Sequence, residues 1–357
     1  MKKVSFLFAM LFAVSMAMGQ TNNTSEIDQS DASQEATVDQ QGAGDNTSYV
    51  TQQNANNVAT VTQINPVFEG SVEDDDNLST VLQTGAGNGA MVSQTNDHGS
   101  GEYAGPGGVL EAEIEQTGNN NDAEQIQGGA NQMGESMASI LQSGNGNDAF
   151  QHQLKYYNDA FIVQTGNNNS AMQAQDTELP EVGSSNYASI TQGGNNNTSE
   201  QEQNGWDNDV IAVQSGNGNT ASQTQLNNSW VSSSSVMQSG NNNSAYQVSL
   251  GNLNNALIEQ YSNGNSASQR QLSGDATPAG YPALNDAEIY QWGGNGNVAI
   301  QNQINEAGNV SNHAIIWQNG ANNDASQNQW GGFNSSTISQ TGNGHVANLT
   351  QNQSVTQ

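Results

Sequence analysis

Along most of the chain the informative positions recur every second residue. Two seven-residue segments, Ser136-Met137-Ala138-Ser139-Ile140-Leu141-Gln142 and Asn147-Asp148-Ala149-Phe150-Gln151-His152-Gln153, show the pattern clearly. Ser136, Ala138, Ile140 and Gln142 alternate with a mixed set, and so do Asn147, Ala149, Gln151 and Gln153. A period of two lines one face of a β-strand, not of a helix. The four residues Ser143–Gly146 join the segments. Folding about this Gly-rich turn sets Ile140 against Ala149 and Ala138 against Gln151. Large lies opposite small, which gives a packable inner seam.

The register can be followed by the Gln that closes each segment. The first segment, Asn23–Gln29, has a partner closing at Gln40. Further pairs close at Gln52/Gln63, Gln83/Gln94, Gln116/Gln127, Gln142/Gln153, Gln164/Gln175, Gln192/Gln203 and Gln214/Gln225. Gln238/Ser249, Gln260/Gln271, Gln291/Gln303, Gln318/Gln329 and Gln340/Gln351 complete thirteen pairs, twelve of them with a spacing of eleven. Asn88, Asn121, Asn147, Asn169, Asn197, Asn219, Asn243, Asn265 and Asn323 open second segments at the same inner phase. A period so sustained defines a repeat architecture.

The two kinds of connection differ. Within a pair the link is four residues, or five in the Trp292–Gly296 exception, and carries Gly85, Gly118, Gly144, Gly166, Gly216, Gly240, Gly320 or Gly342. Gly and Asn accept the positive backbone angles so tight a turn demands. Between pairs the link varies, with long loops expected at 64–76, 95–109, 176–185 and 272–284. Pro66, Pro106, Pro180, Pro278 and Pro282 all fall in those loops, where no ladder donor is lost.

These features predict an all-β β-solenoid of about thirteen strand-turn-strand rungs forming two parallel in-register sheets. A buried Gln or Asn is costly unless its amide finds partners. Stacking rungs about 4.8 Å apart lets each inner amide meet its equivalent in the next rung. An antiparallel meander would set Gln beside Ala or Ile instead. One rung buries too little apolar surface to offset the ordering of its residues, so stability must come from cooperative stacking. Thirteen rungs make a rod roughly 60 Å long. Its end strands are unpaired, and Gln20–Asn22 and Asn352–Gln357 are too short to cover them. Flat open edges template pairing with another chain.

Composition sharpens this picture. Apolar residues form 33% of the chain, below the roughly 45–50% of ordinary globular domains, so a conventional greasy core is not expected. A disordered prion-like tract would share the composition but would hold no fixed register. The formal net charge is −30, and beyond Lys2 and Lys3 the only cations are Lys155 and Arg270. Such a surface repels phosphate backbones, which excludes nucleic-acid binding. Residues 1–19 read as an export signal, with Lys2 and Lys3 first, the apolar run Val4–Val14, and Ala17-Met18-Gly19 at the cleavage point. The run is too short to anchor in a membrane, and no later stretch predicts insertion. With no cysteine, an exported chain is held together without disulfides.

The motif Gln-x-Gly-x2-Asn-x-Ala-x3-Gln stands intact from Gln83, Gln116, Gln142, Gln164, Gln214 and Gln318. Degenerate copies start at Gln192, Gln238, Gln260 and Gln340. In this the chain resembles the curlin family, subunits of the extracellular amyloid fibres called curli. The resemblance covers nearly all of residues 20–357, which it makes a single curlin-repeat domain. It implies a secreted subunit that polymerises with itself into cell-surface fibres of a biofilm matrix. It further implies a nucleator subunit and a curli-type outer-membrane secretion pore as partners. Familiar members have fewer rungs and a separate N-terminal export segment, and their repeats lack the long edge loops found here.

Other chemistry finds little footing. His152 and His313 take outward strand positions, His98 a loop and His345 an inner Asn position, with no metal-ligand spacing among them. The acidic run Glu73–Asp76 reads as a solvated loop in preference to a calcium site. Gly193–Asn197 lacks the lysine of a phosphate loop and reads as a repeat turn. Polysaccharide lyases share solenoid folds but need basic groups that two cations cannot furnish. No catalytic activity and no cofactor are therefore expected. Outward Asp122, Asp148, Asp159, Asp209, Asp286 and Asp324 follow the inner Asn positions and are read as gatekeepers against premature assembly. Outward Tyr187, Tyr246, Tyr290 and Trp317 suit either bundling or adhesion, or are simply β-formers. A monomeric surface adhesin is the alternative to a fibre subunit. Ice binding would want a regular outward Thr array that the chain lacks.

Overall fold

The computed structural model describes residues 23–42, 44–65, 76–97, 108–130, 135–154, 157–176, 185–273, 285–305 and 311–353. The expected export signal, His98, Lys155, the five prolines and Glu73–Asp75 lie outside the described residues. Every regular element is a strand. Rungs one to four comprise β1 (Thr24–Ser30) and β2 (Glu35–Gly42), β3 (Asp45–Gln53) and β4 (Val58–Asn65), β5 (Asp76–Thr84) and β6 (Gly89–Asp97), β7 (Val109–Asn119) and β8 (Asp122–Ala130). Rungs five to eight comprise β9 (Ser136–Asn145) and β10 (Asp148–Gln153), β11 (Asn158–Asn167) and β12 (Ser170–Asp176), β13 (Asn186–Asn195) and β14 (Thr198–Trp206), β15 (Asp209–Asn217) and β16 (Thr220–Trp230). Rungs nine to eleven comprise β17 (Ser233–Ser239) and β18 (Ser244–Leu250), β19 (Asn254–Gln260) and β20 (Ser266–Ser273), β21 (Asn285–Gly293) and β22 (Val298–Asn305). Rungs twelve and thirteen are β23 (Asn312–Gly320) with β24 (Asp324–Gly331), and β25 (Ser335–Thr341) with β26 (Val346–Gln353).

All odd-numbered strands form one 13-stranded sheet and all even-numbered strands a second, each in chain order. Neighbours within a sheet are parallel, and equivalent repeat positions pair. Ile140 sits beside Ile114 and Ile162, and Gln142 beside Gln116 and Gln164. The predicted solenoid is the observed fold. Parallel neighbours need a crossover, and here each crossover is the opposite strand of the same coil. The strands extend further than expected into the edge loops, claiming Ile64–Asn65, Asp76, Thr95–Asp97, Val109, Asp176 and Leu272–Ser273. The link at 204–207 is also partly in the ladder, because Gly205 and Trp206 pair with Ser229 and Trp230 after a register shift.

The core is thin and apolar only in part. Ile114, Ile140, Ile162 and Ile190 stack in the odd sheet and belong to one buried cluster with Ala123, Ala149 and Ala171 of the even sheet. Gln151 Nε2 donates to the Ser139 carbonyl at 3.1 Å, which places it across the seam beside Ala138 as expected. Rung eight inverts the sizes, with Val210 at the usual Ala position and Ala212 at the usual Ile position, both fully buried.

The turn glycines have two independent reasons to lack a side chain. Gly144 has φ 121°, a region open chiefly to glycine. A Cβ there would lie 1.9 Å from the Gly166 carbonyl oxygen in the next rung, so axial stacking forbids it as well. Gly85, Gly118, Gly166, Gly216, Gly240, Gly320 and Gly342 share the positive φ. Gly144→Ala therefore combines left-handed strain with a backbone clash, and should destabilise the fold by about 3 kcal/mol or more. A chemical-denaturation midpoint unchanged from wild type would contradict this stacking of the turns.

Candidate functional site

The chain's distinctive chemistry is its buried amide array. Of the predicted ladder positions, Gln83 through Gln340 are buried, and only Gln351 in the last rung is partly exposed. In the odd sheet each Gln Nε2 donates to the Oε1 of the next rung. Gln116→Gln142, Gln142→Gln164, Gln164→Gln192 and Gln192→Gln214 are all 2.9 Å. The run starts at Gln29 and ends at Gln340, passing through Gln83, Gln238, Gln260 and Gln318. The second Nε2 proton crosses the seam, as in Gln142 to the Asp122 carbonyl at 2.9 Å. Each amide therefore ties the coil both along and across its axis.

The even sheet carries two such columns. Its closing Gln residues bond in the same direction, including Gln94→Gln127 at 3.0 Å, Gln127→Gln153 at 2.9 Å, Gln153→Gln175 at 3.0 Å and Gln175→Gln203 at 2.9 Å. The column loosens where Ser249 replaces Gln. Gln203→Gln225 stretches to 3.5 Å, and Gln225 turns to Ser234 Oγ at 3.1 Å. It resumes at Gln271→Gln303 and reaches Gln351 through Gln329. The second column runs Gln125→Gln151→Gln173→Gln201→Gln223→Gln247→Gln269 with every step 2.9 Å, then on to Gln301 and Gln327.

The inner Asn residues of the even sheet behave otherwise than a ladder of like amides. Asn88, Asn121, Asn147, Asn169, Asn197, Asn219, Asn243, Asn265 and Asn323 are buried and in register. Yet most of their axial bonds join an Asn Oδ1 to the backbone N–H of the next Asn, as from Asn147 to Asn121 at 3.0 Å. The Nδ2 group of Asn121 reaches the Gly144 carbonyl in the following turn at 3.0 Å, and Asn147 reaches Gly166 likewise. At these positions the amide is turned toward the turn, so its Nδ2 clamps the turn backbone in place of the equivalent Asn. Only Asn169 also donates to its equivalent, Asn147, at 3.2 Å.

A further array was not anticipated from the residue pattern. After the turn glycine, Asn119→Asn145→Asn167→Asn195→Asn217→Asn241→Asn263 form a solvent-side chain of amide bonds of 2.9–3.2 Å. Its sequence signal is the recurring Gly-Asn step at 118–119, 144–145, 166–167, 194–195, 216–217 and 240–241.

The outward surface is less regular. Of the six expected gatekeeper carboxylates only Asp122 and Asp148 are direct neighbours. Asp159 and Asp209 are separated by Tyr187, and Asp286 pairs with His313 Nδ1 at 3.0 Å. Partial burial raises the carboxyl pKa of Asp148, with Asp122 adding to it. Burial likewise raises Asp159, opposed by a backbone hydrogen bond from Met137 and helped by Glu135. Burial and Asp207 raise Asp209. Tyr290 and Trp317 stack at 4.4 Å, with Trp292 edge-on to both and Tyr261 edge-on to Trp292. Burial and the Glu288 carboxylate, which accepts the Tyr290 hydroxyl at 3.0 Å, hold that phenol protonated. Among the described residues no group of three His, Asp or Glu converges as a metal site.

Fold and array together define a β-solenoid with an amide-laddered core. No family model matches the chain, and no curated protein is similar to it.

Two outcomes follow. Gln164→Leu preserves volume but removes the axial bonds to Gln142 and Gln192, and should cost about 2–4 kcal/mol in denaturant unfolding. A loss below about 0.5 kcal/mol would mean the ladder adds little beyond packing. For Asp148, Asp159 and Asp209 the folded pKa is above the free value, so the charged form opposes folding. The penalty is complete above the raised values and disappears as pH falls through them toward about 4. Melting temperature should therefore rise as pH falls from 7 toward about 4, less steeply in Asp148→Asn. A melting curve insensitive to pH over that window would contradict the assignment.

Proposed function

We propose that this chain is a secreted structural subunit that polymerises end to end into curli-like extracellular amyloid fibres, serving a biofilm matrix and surface adhesion. The observation that carries the reading is the state of the two ends. β1 and β25 each have a single neighbour in the odd sheet, and β2 and β26 a single neighbour in the even sheet. Ile27, Val38, Ala347 and Leu349 pack on the buried cluster yet remain partly exposed, whereas their counterparts in inner rungs are buried. Gln29 and Gln40 have Oε1 acceptors, and Gln340 and Gln351 Nε2 donors, in line with columns that continue only on the inner side. Such edges gain most by pairing with an identical edge.

The motif series from Gln83 to Gln340 supports the curlin reading, and with it a nucleator subunit and an outer-membrane pore as partners. A monomeric solenoid adhesin, or a nucleator of such fibres, is the second reading. It is favoured by the exposed aromatic group Tyr261, Trp292 and Trp317, which suits surface contact. No catalytic role is proposed, because the buried Gln amides are engaged mainly in holding the coil together.

Purified protein lacking residues 1–19 should convert from soluble monomer to thioflavin-positive fibres after a lag. Sonicated fragments should abolish the lag, and added salt, which screens the acidic surface, should shorten it. A monomer that remains soluble and unseeded over the same period would favour the adhesin.

A further inference from the structure

We propose that the first and last rungs are a matched pair. In this joint Val38 and Ser25 of one copy stack on Leu349 and Ser336 of another, which fixes the polarity and register of end-to-end growth. The proposal rests on the fibre reading above and identifies the partner of each end as the opposite end of a second copy.

Two inner columns change residue type along the rod, and both change between the third and fourth rungs and again between the twelfth and thirteenth. The even-sheet position that carries Gln from Gln125 to Gln327 is Val38, Val61 and Val92 in the first three rungs and Leu349 in the last. Across the seam, one odd-sheet position is Ser25, Ser48 and Ser79 in the first three rungs. It is Ala from Ala112 to Ala314 apart from Val210 and Ser234, and Ser336 in the last. The thirteenth rung thus departs from the twelfth in both columns and returns to the type of the first.

The structure shows what a change of type costs. Where Val92 precedes Gln125, the Gln125 Oε1 is buried with no hydrogen-bond partner. Where Leu349 follows Gln327, the Gln327 Nε2 has no axial acceptor and turns to Ser336 Oγ, which also accepts from Gln329 at 2.8 Å. An apolar residue beside Gln strands half an amide, and a buried unpaired polar group is expensive. Stacking the last rung on the first strands no Gln amide. Leu349 meets Val38, Ile338 meets Ile27, Ala347 meets Ala36 and Ser336 meets Ser25.

Direction is set by the same atoms. All three Gln columns donate toward the higher-numbered rung, so the Nε2 groups of Gln340 and Gln351 face the Oε1 groups of Gln29 and Gln40 in the joint. Two first rungs placed together would oppose acceptor to acceptor, and two last rungs donor to donor. A joint slipped onto any rung from four to twelve would set Gln on Val38 or Leu349.

Seeded elongation with wild type, Val38→Gln, Leu349→Gln and the double variant tests this. Each single variant puts Gln over an apolar residue at the joint and should extend its own seeds about tenfold more slowly than wild type. The double variant restores Gln over Gln and should extend its own seeds within about twofold of wild type. Leu349→Gln supplies Gln327 with an axial partner, so its monomer should melt no lower than wild type, which separates the joint from folding. Single variants that elongate like wild type, or a double variant no faster than the singles, would overturn the matched joint. Wild-type protein that fails to extend its own seeds would instead overturn the fibre reading.

Discussion

The amide-to-amide hydrogen bond between successive rungs is the constraint on which this molecule depends. Gln142 can be buried only because Gln116 lies one rung below and Gln164 one rung above, each 2.9 Å away. That requirement fixes the parallel register of both sheets, since a shift of one residue would turn every inner amide to solvent. It also fixes the turn, because strands stacked this closely bring Gly144 against the Gly166 carbonyl. Glycine there answers a demand set by the ladder.

Such a core exchanges apolar area for repetition. An Ile column and an Ala column supply a narrow dry seam, and much of the remaining inner volume is filled by Gln side chains that bond mainly to copies of themselves and to nearby backbone. Each rung is therefore satisfied by its neighbours and incomplete alone, the condition for cooperative one-dimensional assembly. The first and last rungs inherit that incompleteness. Whether such an end meets water or another chain separates a monomer from a fibre.

Much of this was legible in the residues because strand period and rung period are both simple. The spacing of eleven between Gln142 and Gln153 and the glycine beside each turn sufficed for the sheets, the register and the buried Gln columns. What escaped depended on how each side chain is turned beside the turn. Asn147 and Gln142 look alike in a pattern of inner amides, but Asn147 sits beside the turn, and its Nδ2 clamps the Gly166 carbonyl of the next rung while its Oδ1 accepts from Asn169. The Asn145–Asn167 array lies where the period of two has ended, so alternation could not point to it. Outward carboxylates followed the register, but their neighbours did not, and Tyr187 separates Asp159 from Asp209.

Hydrogen exchange of the Gln side-chain amides, followed by nuclear magnetic resonance on the soluble chain, reaches the central claim most directly. The Nε2 protons of Gln142, Gln164 and Gln192 should exchange at least about a thousandfold more slowly than those of a free glutamine, at rates that track global unfolding. Exchange at the free rate while the backbone ladders stay protected would show that these amides are not bonded rung to rung, and would contradict the account.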